Sequence, residues 1–233
     1  MLILRSVGTT CLVLFLFTSL GYSRERFQTG ANFTLGFPQR EFNENLDNMG
    51  LGGTGYFMYK FPKTVISVGA SVGALVYGSD TREELLESSI PEVIVDVTTR
   101  NYILMSHFFV RAQPPGGYLR PYLDGLIGFN YIWTETGIYD QSGGYDDKIA
   151  SSVNVSDFAF SYGLGGGLMI RLFQGQKSAF AVLLDLGARY LWGGKAEYLK
   201  EGDILREDGM VIYNTSYSNT DLFTTHIGVT FSF

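Results

Sequence analysis

The chain has 233 residues, 45% hydrophobic and 15% aromatic, with 29 Gly and a formal net charge of −6. That acidic balance is a poor match for nucleic acid, whose phosphates recruit basic surfaces. A single cysteine excludes a disulfide framework, and the length suits one domain, since closed β-barrels run past roughly 200 residues as a unit.

Met1 to about Ser23 reads as a secretory signal, with one charge at Arg5, an apolar run from Cys11 to Leu20 and small residues at Ser19, Gly21 and Ser23. The run is too short to span a bilayer as a helix. Cys11 lies inside it, so the expected mature chain, 24–233, has no thiol chemistry. No later stretch is long and apolar enough for a transmembrane helix, although a barrel escapes such a scan.

Alternation and turn signals predict about eight strands, near 26–37, 50–61, 65–79, 97–113, 118–135, 157–173, 178–193 and 216–233. Most exceed the roughly nine to eleven residues that a tilted strand needs to cross a membrane. Their connections alternate. Pro62–Thr64, Pro114–Gly117 and Gln174–Lys177 are tight turns, whereas 38–49, 80–96, 136–156 and 194–215 are expected to be long polar loops. Of the 23 acidic residues, 19 lie in or beside those loops, leaving Glu25, Asp124, Asp185 and Asp221 elsewhere. Bases flank the short turns: Lys60 and Lys63, Arg111 and Arg120, Arg171 and Lys177. Acidic loops are able to hold divalent cations or bridge through them to lipopolysaccharide phosphates, or simply to solvate the loops.

The two faces of each strand differ in an informative way. One face of the sixth carries Phe158, Phe160, Tyr162, Leu164, Leu168, Ile170 and Leu172; the other carries Ala159, Ser161, Gly163, Gly165, Gly167, Met169 and Arg171. A solvated face would be rich in Lys, Glu and Thr. Gly, Ser and Ala with an occasional charge suit the narrow interior of a barrel of about eight strands, which leaves the bulky face for hydrocarbon. Aromatics at the strand ends fit two interfacial girdles: Phe158, Tyr190, Trp192, Tyr131 and Trp133 near the loops, and Phe61, Phe180, Phe231 and Phe233 near the turns. The expected fold is therefore all-β, a closed antiparallel transmembrane barrel over 24–233, with short periplasmic turns and long extracellular loops.

The signal, the strand rhythm, the segment Arg-Pro-Tyr-Leu-Asp-Gly-Leu-Ile-Gly-Phe from Arg120 to Phe129, and the closing alternation to Phe233 together resemble the small eight-stranded outer-membrane barrels of Gram-negative bacteria, the OmpA/OmpX-type superfamily. The resemblance implies residence in the bacterial outer membrane among lipid and lipopolysaccharide. It also implies recognition of Ile227, Val229, Phe231 and Phe233 by the barrel-assembly machinery.

Strand parity turns Lys60, His107, Arg111, Asp124, Asp185 and Arg189 into the lumen. Folding about the Pro114–Gly117 turn is expected to bring His107 near Asp124, and Arg111 near Arg120. Charges without water must be paired, so a plug is favoured over a pore lining or proton relay. No catalytic residue is assigned: His107 and His226 are the only histidines. The sequence Thr-Thr-His-Ile-Gly around His226 lacks the Ser that follows closely in outer-membrane lipid deacylases. No metal site or cofactor is expected either, because no cluster has ligand spacing and Gly165–Gly167 lies within a strand. The leading expectation is a structural or interaction barrel with acidic loops outside and an unidentified extracellular or envelope protein partner, including a role within a secretion or adhesion assembly. The alternatives are a narrow pore for small solutes or ions and, behind it, a lipid-modifying enzyme.

Overall fold

The computed structural model describes residues 25–46, 48–87, 90–140, 148–175, 180–199, 204–207 and 210–233. The expected signal segment, 1–23, lies outside them. Eight strands close the barrel: β1 (Phe27–Pro38), β2 (Gly50–Lys60), β3 (Ile66–Glu87), β4 (Ile90–Ala112), β5 (Leu119–Asp140), β6 (Lys148–Gln174), β7 (Ala181–Gly193) and, after four short strands, β12 (Leu222–Ser232). Each pairs antiparallel with its neighbour in the chain. The ring shuts where β1 meets β12, from Gln28↔Ser232 to Pro38↔Leu222.

Closure removes every free edge around the ring, and the two faces then follow from the pleat. Inward-facing Gln28, Asn32 and Thr34 on β1 are buried, while outward-facing Phe33 is exposed. On the exterior, Phe108, Leu123 and Phe158 are 71%, 69% and 68% exposed, alongside Ile127, Leu164 and Ile227. An apolar band of this extent, continuous round a closed barrel, is stable only against hydrocarbon.

The two girdles form as rows of touching rings. Near the loops, Tyr102 stacks on Trp133 at 4.9 Å, Trp133 on Tyr131 at 5.3 Å, and Tyr131 meets Phe158 at 4.5 Å. Tyr162, Trp192 and Tyr190 continue the row. Near the turns, Phe27 touches Phe57, Tyr59 and Phe233, and Phe180 stacks on Phe231.

Two of the expected long loops are mostly strand. The β3–β4 ladder continues to Glu87↔Ile90, that of β4 with β5 to Val95↔Asp140, and that of β5 with β6 to Tyr139↔Lys148. The run Ile90–Thr99 is rich in β-branched residues, which favour strands. Extending a ladder already formed costs far less loop-closure entropy than starting one. Above the upper girdle these four strands stand as a sheet on one side of the barrel. The fourth expected loop contains β8 (Lys195–Tyr198) and the pair β9 (Ile204–Glu207) with β10 (Met210–Tyr213), and β8 pairs with β11 (Ser216–Asn219) at the start of the expected last strand. The expected last strand is thus divided at Thr220–Asp221, where the Thr220 amide donates to the carbonyls of Gly193 and Gly194.

The outer face yields a direct check. Leu168→Arg, opposite Leu186 and well below the girdle ring of Tyr162 on β6, should cost about 2–4 kcal/mol, read from urea titration of folding into vesicles. No loss of stability would contradict a lipid-facing Leu168.

Candidate functional site

The lumen is the part of the molecule that concentrates chemistry, and it is filled at three heights. At the periplasmic mouth, Glu25 just before β1 accepts hydrogen bonds from Arg120 Nη1 and Nη2 at 2.7 and 3.2 Å and from Ser232 Oγ at 2.7 Å. Lys60 Nζ donates to Glu25 at 3.4 Å and to the Pro115 carbonyl at 3.1 Å. Gln113 and Gln28 extend this layer to Ser232. Burial alone would raise the Glu25 carboxyl. The hydrogen bonds and charge of Arg120, with Ser232 and Lys60, outweigh it and hold the group at about 2.

At mid-height Arg111 and Asp124 form a two-pronged ion pair, Nε to Oδ1 at 2.6 Å and Nη2 to Oδ2 at 2.7 Å, with side chains fully buried. The guanidinium lies 3.8 Å from the Tyr122 ring centre and 5.2 Å from that of Tyr56. Asp185 accepts from the Tyr122 hydroxyl at 2.8 Å and the Tyr56 hydroxyl at 3.3 Å. His226 Nε2 lies 3.0 Å from that Tyr122 oxygen and 3.7 Å from Asp185, and Tyr56 also bonds Thr230. Buried charge is tolerable only with such pairing; of the Arg111 nitrogens, Nη1 alone has no hydrogen-bond acceptor among the described residues and relies on the flanking rings. The small residues of the lumen face make it fit: side chains at Gly30 or at Gly167 and Gly187 would collide with the rings of Tyr56 and Tyr122 respectively.

The upper level closes on a side chain from the first loop. Helix α1 (Glu41–Asn45) drops Phe42 into the mouth, fully buried and edge-on to Tyr77 and Tyr198 at 5.9 and 5.3 Å. Arg40 pairs with Asp221 at 3.3 Å, and Glu41 accepts from the backbone and side-chain amides of Asn219 at 3.1 Å.

The expected site residues divide among these levels. Arg111, Asp124 and Asp185 join the central network, and Arg189 borders it, its Nη2 3.7 Å from Asp124. Lys60 belongs to the periplasmic layer. His107 bonds Ser161 at 3.0 Å, higher up. The expected neighbours about the turn are corrected by four residues of register: His107 sits opposite Gly128, and Arg111 opposite Asp124. The ladder ends at Ala112↔Leu123 because Pro114 and Pro115 offer no N–H to continue it. Arg120 therefore meets Glu25 rather than Arg111. Large apolar side chains, Met58, Phe109, Met169 and Leu183 among them, also fill an interior expected to hold mainly small residues. The closing-strand residues Ile227, Phe231 and Phe233 face outward into the apolar belt, each at least 41% exposed, with Val229 on the same face by parity.

Sequence reasoning assigned none of Glu25, Arg120, Tyr56, Tyr122 and Phe42 as a site residue, and weighed His226 only as a catalyst. Parity carried a signal for Tyr56 and Tyr122. Phe42, one aromatic in a polar stretch, carried none. Among the described residues, no group of three His, Cys, Asp or Glu side chains has metal-binding geometry, and no helix is long and apolar enough to cross a membrane.

No protein-family model matches the chain, and no curated protein does. Solved structures with a similar course include Neisserial surface protein A, at 12% identity and TM-score 0.41, covering 89% of this chain and 96% of that one. OprG from Pseudomonas aeruginosa is similar at 15% identity and TM-score 0.40, over 92% and 98%. Ail, the attachment invasion locus protein of Yersinia pestis, is similar at 14% and 0.36, over 90% and 97%. The fold assignment stands on the hydrogen-bonded ring and its outer belt, independently of these likenesses.

Two outcomes follow. Asp124→Asn strands Arg111 without its counter-ion and should cost about 3–5 kcal/mol, while replacing both by Arg111→Met and Asp124→Leu should cost much less, measured by urea titration. For Glu25 the folded value lies below the unfolded one, so its stabilisation is present above about pH 4.5 and drains away toward about 2. Glu25→Gln should flatten the stability profile across that window, and an unchanged slope would contradict the contact. Bulky apolar side chains of one strand parity form a continuous outward belt around a closed ring whose interior carries the buried charges, and the chain is an eight-stranded antiparallel transmembrane β-barrel.

Proposed function

We propose that the protein is a non-conducting barrel with a structural or interaction role at the cell surface. The observation that carries this reading is closure at three separate heights by buried groups packed or paired with one another: Glu25 with Arg120, Arg111 with Asp124, and Phe42 between Tyr77 and Tyr198. A pore would need a continuous wet path, and paired charges in a ring of eight strands leave little room for one. The interacting surface in this reading is the sheet formed by the upper parts of β3 to β6, together with the hairpin strands β8 and β11, where Tyr217, Ile149 and Val153 are exposed. Its partners are lipopolysaccharide and an unidentified extracellular or envelope protein, with the barrel-assembly machinery acting earlier through the closing strand.

The reading includes no catalysis, cofactor or metal. His107 and Ser161 are hydrogen-bonded, but both face the lumen, away from lipid. His226 is engaged by Tyr122 beneath the same closure.

Planar-bilayer recording of the refolded protein tests the proposal. The wild type should be silent, and so should Asp185→Ala, since two other levels remain shut. Combining Phe42→Ala, Asp124→Ala and Glu25→Ala should produce conductance. Stable, reproducible steps from the wild type would overturn the plug and favour the narrow pore.

A further inference from the structure

Between the central ion pair and the Phe42 cap lies a small polar cavity, in which the centre of a water-sized particle has about 10 Å³ to move. Arg189 lines it and is only 7% exposed. Its Nε and Nη2 have no hydrogen-bond acceptor among the described residues. The nearest described carboxylate oxygen, Asp124 Oδ2, is 3.7 Å away and already takes a hydrogen bond from Arg111 at 2.7 Å. A buried guanidinium with unused donors is costly, and the cost is relieved by an acceptor carrying charge.

The remaining polar lining offers hydrogens as well. Thr34, Thr54, Ser71 and Thr224 present hydroxyls, and Thr34 and Thr54 bond each other at 3.0 Å, which leaves one of their two hydrogens for the cavity. His107 and His226 each bring an imidazole. Asn32 reaches the cavity through a side-chain amide whose oxygen has no partner. Turning that amide over presents its NH₂ instead, an orientation of equal shape. Among the described residues no carboxylate lines the space.

We infer that this cavity is a binding site for one small monovalent anion of the halide class, held chiefly by Arg189. The size favours a small ion, since the centre of a water-sized particle has only about 10 Å³ to move. The low local dielectric strengthens the attraction to Arg189.

Crystals of the refolded protein grown in sodium bromide supply the first test. The expected result is one anomalous peak within hydrogen-bond reach of the Arg189 guanidinium. Density there without anomalous signal would mean water and overturn the inference. The second test is thermal unfolding at constant ionic strength, exchanging chloride for gluconate. Above the dissociation constant each tenfold rise in chloride should raise Tm by about 3–6 °C, and Arg189→Met should abolish the dependence. A wild-type Tm indifferent to chloride, or a slope unchanged in the variant, would sink the site. Should Arg189→Met not fold, Thr54→Val removes one donor with little change of shape and should reduce the chloride slope; an unaltered slope there counts equally against the proposal.

Discussion

A ring of eight strands is too narrow for bulk water, so a charge turned inward depends on ion pairs and hydrogen bonds made within the same ring. That constraint organises the molecule. The four acids that lie apart from the loop-rich segments each occupy a specific pairing: Glu25 with Arg120 and Lys60, Asp124 with Arg111, Asp185 with two tyrosines and His226, and Asp221 with Arg40 and the Gly193 amide. The first three stack up the lumen from the periplasmic mouth to mid-height. The fourth ties the first loop to the break before β12, and so sets the position of Phe42.

The fold was legible because lipid and lumen impose opposite demands on alternate residues. Phe158 to Leu172 on one parity and Ala159 to Arg171 on the other admit a single reading, and the exposure of Phe158, Phe160, Tyr162, Leu164 and Leu172 follows it. The site was only half legible. Parity says which residues share the interior but not their height, which depends on register. Register around Pro114 and Pro115 turned on how many residues the turn consumes, and the four-residue difference exchanged the partners of His107 and Arg111. Glu25 lay before the first predicted strand, where parity has no meaning. Phe42 is set by a contact across the mouth with Tyr77 and Tyr198, which local pattern does not encode.

Charge and polarity also mislead when taken for mobility. The segments between the middle strands are acidic, which suggests solvated loops, yet their β-branched residues continue the ladders well past the upper girdle. Polar sequence within a growing hairpin is compatible with regular structure, because the backbone bonds are made regardless of which side chains flank them.

The continuous ladders above the membrane are those of β3, β4, β5 and β6, with the paired strands β8 and β11 beside them; β1 and β2 end near the level of the upper girdle. The barrel consequently has a front and a back when viewed down its axis. Neighbours diffusing in the same leaflet meet a tall screen from one direction and a low sill from the other, so lateral encounters with it are directional before any particular contact is made.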